Sequence, residues 1–179
     1  MRVIAGQYKG RSLKSITGRD IRPTTDNVRE SIFNIIAAKI DGAKVLDLFG
    51  GTGALGIESL SRGAQSVIFA DKAQTSCRVI KENLELVNAS ARIMNVDATI
   101  ALDILNEKFD VIFIDPPYAT DGEPYIRKIS DKRLLDENGV LIYERSSKDN
   151  ASETIGELIT ADTRKYGSVK LFFYKWKSV

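Results

Sequence analysis

Histidine is absent from the 179 residues, cysteine and tryptophan occur once each, and proline four times. Without histidine, Ser-His and Cys-His nucleophile pairs and His-ligated metals are excluded. A single cysteine, Cys77, excludes an internal disulfide and a cysteine-rich zinc site. It falls in a stretch of helical pattern and reads as core packing. No metal is expected. No apolar run approaches the roughly 18 residues that cross a bilayer, and no secretory leader opens the chain. A reducing, cytoplasmic setting is the expectation. Internal repeats and low-complexity segments are missing too. What is present is ordinary for a globular chain: 43% hydrophobic and 28% charged residues, at a length that suits one domain with its own core.

The net charge is only +2, but it is unevenly spread. Residues 1–22 carry Arg2, Lys9, Arg11, Lys14, Arg19 and Arg22 against Asp20, six against one, so this arm is +5 and the rest −3. A basic arm on a slightly acidic body suits a polyanionic partner. Within the arm, Gly6 and Gly10 bracket a turn between two short extended stretches, predicting a hairpin over residues 1–15. Tyr8 offers a stacking ring beside phosphate-pairing cations, the pairing that single-stranded nucleic acid requires. A solvated surface segment is the plainer reading of the same charges. The expected division is an arm over 1–22, ending in a linker at 18–22, and one globular domain over 23–179.

The stretch with the most chemistry is Phe109-Asp110-Val111-Ile112-Phe113-Ile114-Asp115-Pro116-Pro117-Tyr118. Val111 to Ile114 is an apolar run suited to a strand buried on both faces of a parallel sheet. Neither proline can donate to a ladder, so the strand ends there. Residues before proline favour extended geometry, which makes Asp115 and Pro116 a stiff platform. Such a platform at the carboxyl end of a central strand is where open α/β sheets hold ligands. It presents a carboxylate, a carbonyl that no helix consumes, and a ring. Those three suit a nucleobase amino group, with Asp115 and the Pro116 carbonyl accepting its two hydrogens while Tyr118 stacks on the base. The chemistry implied is attack by that nitrogen on an electrophilic methyl. A strand simply capped by a Pro-Pro-Tyr turn is the alternative.

Elsewhere the pattern alternates strands with helices, the mark of a doubly wound sheet. Pro23-Thr24-Thr25-Asp26 opens a helix with capping side chains, and Val28, Ile32, Ile35, Ile36 and Lys39 continue it at helical spacing until Gly42. Its start could contribute to a cofactor lid. A first strand over 44–49 runs into Gly50-Gly51-Thr52-Gly53-Ala54-Leu55-Gly56 and a helix. Gly51, Gly53 and Gly56, with Asp71 twenty residues beyond Gly51, match the spacing of a dinucleotide loop. Asp47 beneath that loop disfavours a pyrophosphate and favours a zwitterionic sulfonium ligand. A second strand ends at Asp71, suited to ribose hydroxyls. A third, over 91–96, ends at Asp97-Ala98, suited to an adenine amino group. Each carboxylate alone could be a helix cap. Helices are expected over 73–87, 98–106, 125–135 and 153–159, a mobile loop over 119–123, and a fifth strand over 139–144. Arg164 to Tyr166 and Val169 to Trp176 flank Gly167-Ser168 as a closing hairpin.

Together, Arg22-Pro23-Thr24-Thr25-Asp26, the segment Asp47 to Glu58, Ser61-Arg62-Gly63-Ala64 and Asp115-Pro116-Pro117-Tyr118 resemble the RsmD-type methyltransferases. The likeness covers nearly the whole chain, and the Arg-Pro-Thr-Thr-Asp segment points to this family among the many amino methyltransferases. The resemblance implies an α/β, doubly wound, Rossmann-like S-adenosylmethionine-dependent methyltransferase fold. Its sheet would be seven-stranded and mixed, with an antiparallel last strand, preceded by the hairpin arm and a helix. It implies methylation of a guanine N2 in 16S ribosomal RNA, position 966 in the family, within a small-subunit particle, by a monomer. It implies Asp47, Gly51 and Gly53 at the methionine end of S-adenosylmethionine, Asp71 at the ribose and Asp97 at the adenine, with Phe49, Gly50, Thr52, Lys72, Ala98 and Thr24 also binding the cofactor. Asp115, Pro116, Pro117 and Tyr118 would be catalytic, and Arg2, Tyr8, Lys9, Arg11, Lys14 and Arg22 would meet RNA. Asp71 is shorter than the Glu more usual in the family, and Asn27 replaces a common basic residue. Rival readings are a DNA adenine-N6 methyltransferase, a nicotinamide-dependent oxidoreductase, and a non-catalytic RNA-binding assembly factor.

Overall fold

A computed structural model describes residues 1–16 and 25–178. Thr24, Arg22 and the linker therefore lie outside the described residues. Thr25 caps the first helix, α1 (Asp26–Ile35), its hydroxyl accepting the Val28 N–H. α1 breaks at Ile36 and resumes as the single turn α2 (Ala37–Ile40), so Ile35, expected on the packing face, is exposed instead. Then follow β1 (Lys44–Asp47), α3 (Ala54–Ser61), β2 (Ser66–Ala70), α4 (Gln74–Leu86), β3 (Arg92–Met94), α5 (Ala98–Ile104), β4 (Phe109–Ile114), α6 (Glu123–Asp131) and β5 (Leu135–Ser146). The chain closes with β6 (Thr154–Ile155), β7 (Leu158–Tyr166) and β8 (Val169–Trp176).

The strands form one mixed sheet in the order β3-β2-β1-β4-β5-β8-β7-β6. β3, β2, β1, β4 and β5 are parallel, and β8 enters antiparallel to β5. Alternate strand residues feed two cores. Val45, Val67, Phe69, Val111 and Phe113 pack with α1 to α4 on one face. Leu46, Ile68, Ile112 and Ile114 pack with α5 and α6 on the other. Burial on both faces is why these strands read as unbroken apolar runs rather than alternating ones.

The sheet has eight strands where seven were expected. Residues 153–159, expected as a helix, form β6 and the start of β7. Gly156 turns between them at φ +60°, and Ile155 and Leu158 are buried. The β-branched residues Thr154, Ile155, Ile159 and Thr160 pair across the hairpin or with β8, where a pleated surface accommodates them better than a helix. The helix expected to run to Leu135 stops at Asp131, and Leu135 already pairs with Phe109. The β7–β8 hairpin turns at Gly167 as read from the sequence. Among the described residues, no helix is long and apolar enough to cross a membrane.

The arm is a hairpin-like loop with Arg2 bridged to Ser12, and it is held by buried polar side chains of the body. The Glu58 carboxylate accepts the Ile4 and Ala5 N–H groups at 2.8 and 3.0 Å. Asn83 accepts the Lys14 N–H at 2.7 Å and donates to the Lys14 carbonyl at 3.1 Å and the Thr52 carbonyl at 2.9 Å. Arg29 donates to the Arg2 carbonyl at 2.6 Å. Gly6 sits against Ser61 with φ +83°, where any Cβ would lie 1.8 Å from the Ser61 carbonyl oxygen.

Candidate active site

The carboxyl ends of β1, β2, β4 and β5, with the loops that follow them, open into one cavity of about 520 Å³. That volume is within the range for small-molecule and cofactor sites. Asp47 lies at its base, only 2% exposed, accepting the Gly56 N–H at 3.2 Å. Its carboxyl is pushed up to about 8 by burial, reinforced by the charges of Asp115 and Asp71. A buried acid of this kind favours a cationic neighbour over an anionic one.

Above it, the loop after β1 turns through Gly51 at φ +55° and Gly53 at φ +79°. A Cβ at Gly51 would meet only the Phe49 carbonyl oxygen, at 3.8 Å, so this glycine serves the backbone turn. Gly56 does different work: a Cβ there would lie 2.1 Å from the Phe69 ring, so α3 can rest on β2 only without a side chain. Asp71 ties the loop down, its carboxylate accepting the Gly51 N–H at 2.9 Å and the Ala73 N–H at 2.8 Å. Asp97 caps α5 through the Thr99 N–H, so the capping role weighed in the sequence is present, and its side chain also lines the cavity. Cys77 is half-buried rather than in the core, its thiol donating to the Asp71 carbonyl.

Just past β4, Asp115 is half-buried on the cavity wall and its carboxyl is pushed up to about 7 by burial. Pro116, Pro117 and Tyr118 line the same opening, with Tyr118 52% exposed. The following loop is tied at two points. Arg145 donates to the Thr120 carbonyl at 2.9 Å, and the Gly122 N–H donates to the Tyr143 hydroxyl at 2.9 Å. Asp47, Phe49, Gly50, Gly51, Thr52, Asp71, Lys72, Asp97 and Ala98 all line the cavity with the Asp115–Tyr118 platform. Gly53 lies just behind the lining, at the N-terminus of α3.

Several lining residues were not read from the sequence. Tyr125 meets Phe49 edge to face, ring centroids 5.2 Å apart. Met1, Ser15 and Ile16 bring the arm itself into the wall. Ser76 is buried with no hydrogen-bond partner for its hydroxyl among the described residues. Glu144, near the carboxyl end of β5, continues the series of carboxylates along this rim, and that signal could have found it. Of the arm candidates, Arg2, Lys9, Arg11 and Lys14 are exposed, while Tyr8 is half-buried against the core. Lys14 pairs with Glu82 at 3.0 Å.

This geometry has close counterparts. A family described as "Conserved hypothetical protein 95" matches residues 1–175. Ribosomal RNA small subunit methyltransferase D of Escherichia coli K12 is 37% identical, across 87% of this chain and 79% of its own. YlbH of Bacillus subtilis is 39% identical across 98% of both chains. The chain belongs to this family, that of the RsmD-type methyltransferases. Among solved structures, yhhF of Escherichia coli superposes with a TM-score of 0.89 at 30% identity, covering 100% of this chain and 99% of that one. SMU.776, solved in complex with SAH, shares the fold at a TM-score of 0.68 and 19% identity, over 83% of this chain and 48% of that one. Family membership favours the methyl donor over the nicotinamide ligand for the glycine loop.

Proposed function

We propose that the protein methylates the exocyclic N2 of a guanine in bacterial 16S ribosomal RNA, within a small-subunit particle in the cytoplasm. The carrying observation is Asp115: a carboxyl on the wall of a cofactor-sized cavity, held by two prolines beside an exposed aromatic ring. The relatives named as small-subunit rRNA methyltransferases support the RNA class.

The cofactor is S-adenosylmethionine, and the cavity fits it. The open cradle at Gly51, the partnerless Ser76 hydroxyl and the acidic floor at Asp47 suit a polar, cation-bearing ligand. When bound, it supplies an electrophilic methyl group on a sulfonium. In this reading Asp47 and the loop over 49–53 hold its methionine end, Asp71 and Lys72 its ribose, and Asp97 with Ala98 its adenine. Asp71 still has lone pairs to offer, since a carboxylate provides about four acceptor sites and two are engaged by Gly51 and Ala73.

The target guanine enters unstacked, because N2 within a helix is out of reach. Asp115 and the Pro116 carbonyl each accept one N2 hydrogen, which turns the nitrogen lone pair toward the methyl, and Tyr118 stacks on the ring. Rate then comes from orientation. Burial pushes the Asp115 carboxyl up to about 7, and its ionised form is the one that acceptor duty requires. The arm's exposed cations contact RNA phosphates.

The test uses ribosomal RNA from cells lacking the enzyme. Wild-type protein should add one methyl, found on guanine N2 by mass spectrometry of nuclease digests, and Asp115→Ala should add none while keeping cofactor affinity by calorimetry. Methylation at another atom, or undiminished turnover by Asp115→Ala, overturns the reading.

A further inference from the structure

Beyond the cavity, a row of cations crosses the sheet in register. β4 and β5 are parallel with Ile114 paired to Tyr143, so Glu144 stands beside Asp115 and Arg145 comes one residue later. Arg145 is directly opposite Lys170 on β8, and Lys170 is directly opposite Lys165 on β7. Residues so opposed share one face of a sheet, and like charges placed there are destabilising. Adjacent strands lie about 4.8 Å apart, so the three backbone positions fall within roughly 10 Å. The rings beneath fit a shared face. Arg145 lies over Tyr143 at 5.7 Å and Lys170 over Phe172 at 5.2 Å, and those two rings are neighbours, 6.3 Å apart.

Few acids answer this row. Asp149 pairs with Arg145 at 3.0 Å, but Lys170 donates to the neutral Asn150 side chain at 2.7 Å. Exposed Lys165 has no hydrogen-bond or ion-pair partner among the described residues. Asp162, three residues earlier on β7, is engaged by Arg164 at 2.8 Å. The turn after β5 adds exposed Lys148. It is tied to the tip of the β7–β8 hairpin, the Ser147 N–H donating to the Ser168 carbonyl at 2.8 Å.

The row begins at the platform, because Arg145 also holds the Thr120 carbonyl of the loop after Tyr118. In the strand order, β5, β8 and β7 lie on one side of β4. The arm is anchored on the other side, on α3 and α4, the helices that connect β1, β2 and β3. A strand whose base enters at Tyr118 therefore has cations on both flanks. In-register like charges suit a partner that is itself a line of negative charge.

We infer that Arg145, Lys170 and Lys165, with Lys148 beside them, form a second RNA-binding surface. It holds backbone phosphates on the side of the platform opposite the arm. This rests on the RNA reading above. Such contacts set affinity and register and carry no base sequence.

The test leaves Arg145 intact, since it also anchors the platform loop. Filter binding uses small-subunit ribosomal RNA from cells lacking the enzyme, at several salt concentrations. The double variant Lys165→Gln, Lys170→Gln should bind several-fold more weakly. Its plot of log affinity against log salt should flatten by about two, one for each lost phosphate contact. Adding Lys148→Gln should flatten it by about one more. Lys165→Arg, which keeps the charge, should bind as wild type does. Without RNA, at low salt, the melting temperature of Lys165→Gln should equal or exceed wild type, because opposed charges are relieved. S-adenosylhomocysteine affinity of the double variant, by calorimetry, should match wild type. Unchanged RNA affinity and salt slope in the double variant overturn the inference, even if an acidic protein binds the row instead. A melting temperature well below wild type in Lys165→Gln overturns it too, by assigning the row to folding. Wild-type protein that neither binds nor methylates this RNA removes the parent reading, whatever the variants do.

Discussion

At the scale of single residues, many of the buried polar side chains fall into two groups with different tasks. Asp47, Ser76 and Glu144 line the cavity, while Arg29, Glu58, Ser61 and Asn83 turn to the arm and satisfy its backbone. Burial makes the ligand-free site electrostatically strained at Asp47 and Asp115. Asp47 and Asp115 have folded-state values near 8 and 7 against an ordinary 3.8, so between those values the native state binds more protons than the unfolded chain. Stability from these groups is complete below about pH 4 and is lost as pH rises through 7 and 8. The ligand-free melting temperature should therefore decline over that window, and Asp47→Asn, which stays neutral, should decline less steeply in parallel scanning fluorimetry. A cationic cofactor should also flatten the wild-type slope. Gly56 makes a steric prediction. Gly56→Ala forces a methyl into the Phe69 ring and should cost about 1–3 kcal/mol in a urea titration.

At the scale of elements, the arm belongs to the body more than its composition suggested. Its turns are anchored on α3 through Glu58 and Ser61, and its end on α4 through Asn83. Asn83 also grips the Thr52 carbonyl of the glycine loop, so one side chain ties the arm to that loop. Asn83→Ala leaves the Lys14 and Thr52 backbone groups without their partner, and S-adenosylhomocysteine affinity should fall several-fold by calorimetry, with RNA affinity falling too. Deleting residues 1–15 should lower RNA affinity and flatten its dependence on salt, because cations that displace counterions are removed. An unchanged slope would assign the arm a purely structural role. The loop after β4 is similarly anchored, by Arg145 and Tyr143, so the platform receives support from β5 as well as from its own prolines.

At the scale of the whole molecule, a sheet buried on both faces leaves its strand ends as the place where polar groups gather. The parallel half of the sheet brings Asp47, Asp71, Asp97, Asp115 and Glu144 to one rim, each at or near the carboxyl end of its strand. The antiparallel β8, β7 and β6 extend the sheet beyond β5 and cover its far edge. Adding S-adenosylmethionine should raise the melting temperature in a concentration-dependent way, as a ligand that binds only the native state must. NAD should not, and a larger shift with NAD would reverse the ligand assignment.

The amino-acid sequence by itself determined the alternating elements, the doubly wound class, the glycine turn and the Asp-Pro-Pro-Tyr platform. Each of these is written in local terms: apolar runs, turn residues and prolines that stop a ladder. It misjudged residues 153–159, where the pairing of β6 with β7 and of β7 with β8 outweighed local helical spacing, and it missed the eighth strand, β6, for the same reason. Only the tertiary structure decided that Glu58 and Asn83 serve the arm, that Met1, Ser15 and Ile16 wall the cavity, and that Glu144 stands beside Asp115. Those pairings join residues tens of positions apart. They depend on strand order and register, which the packing of two cores against one sheet sets and no local pattern encodes.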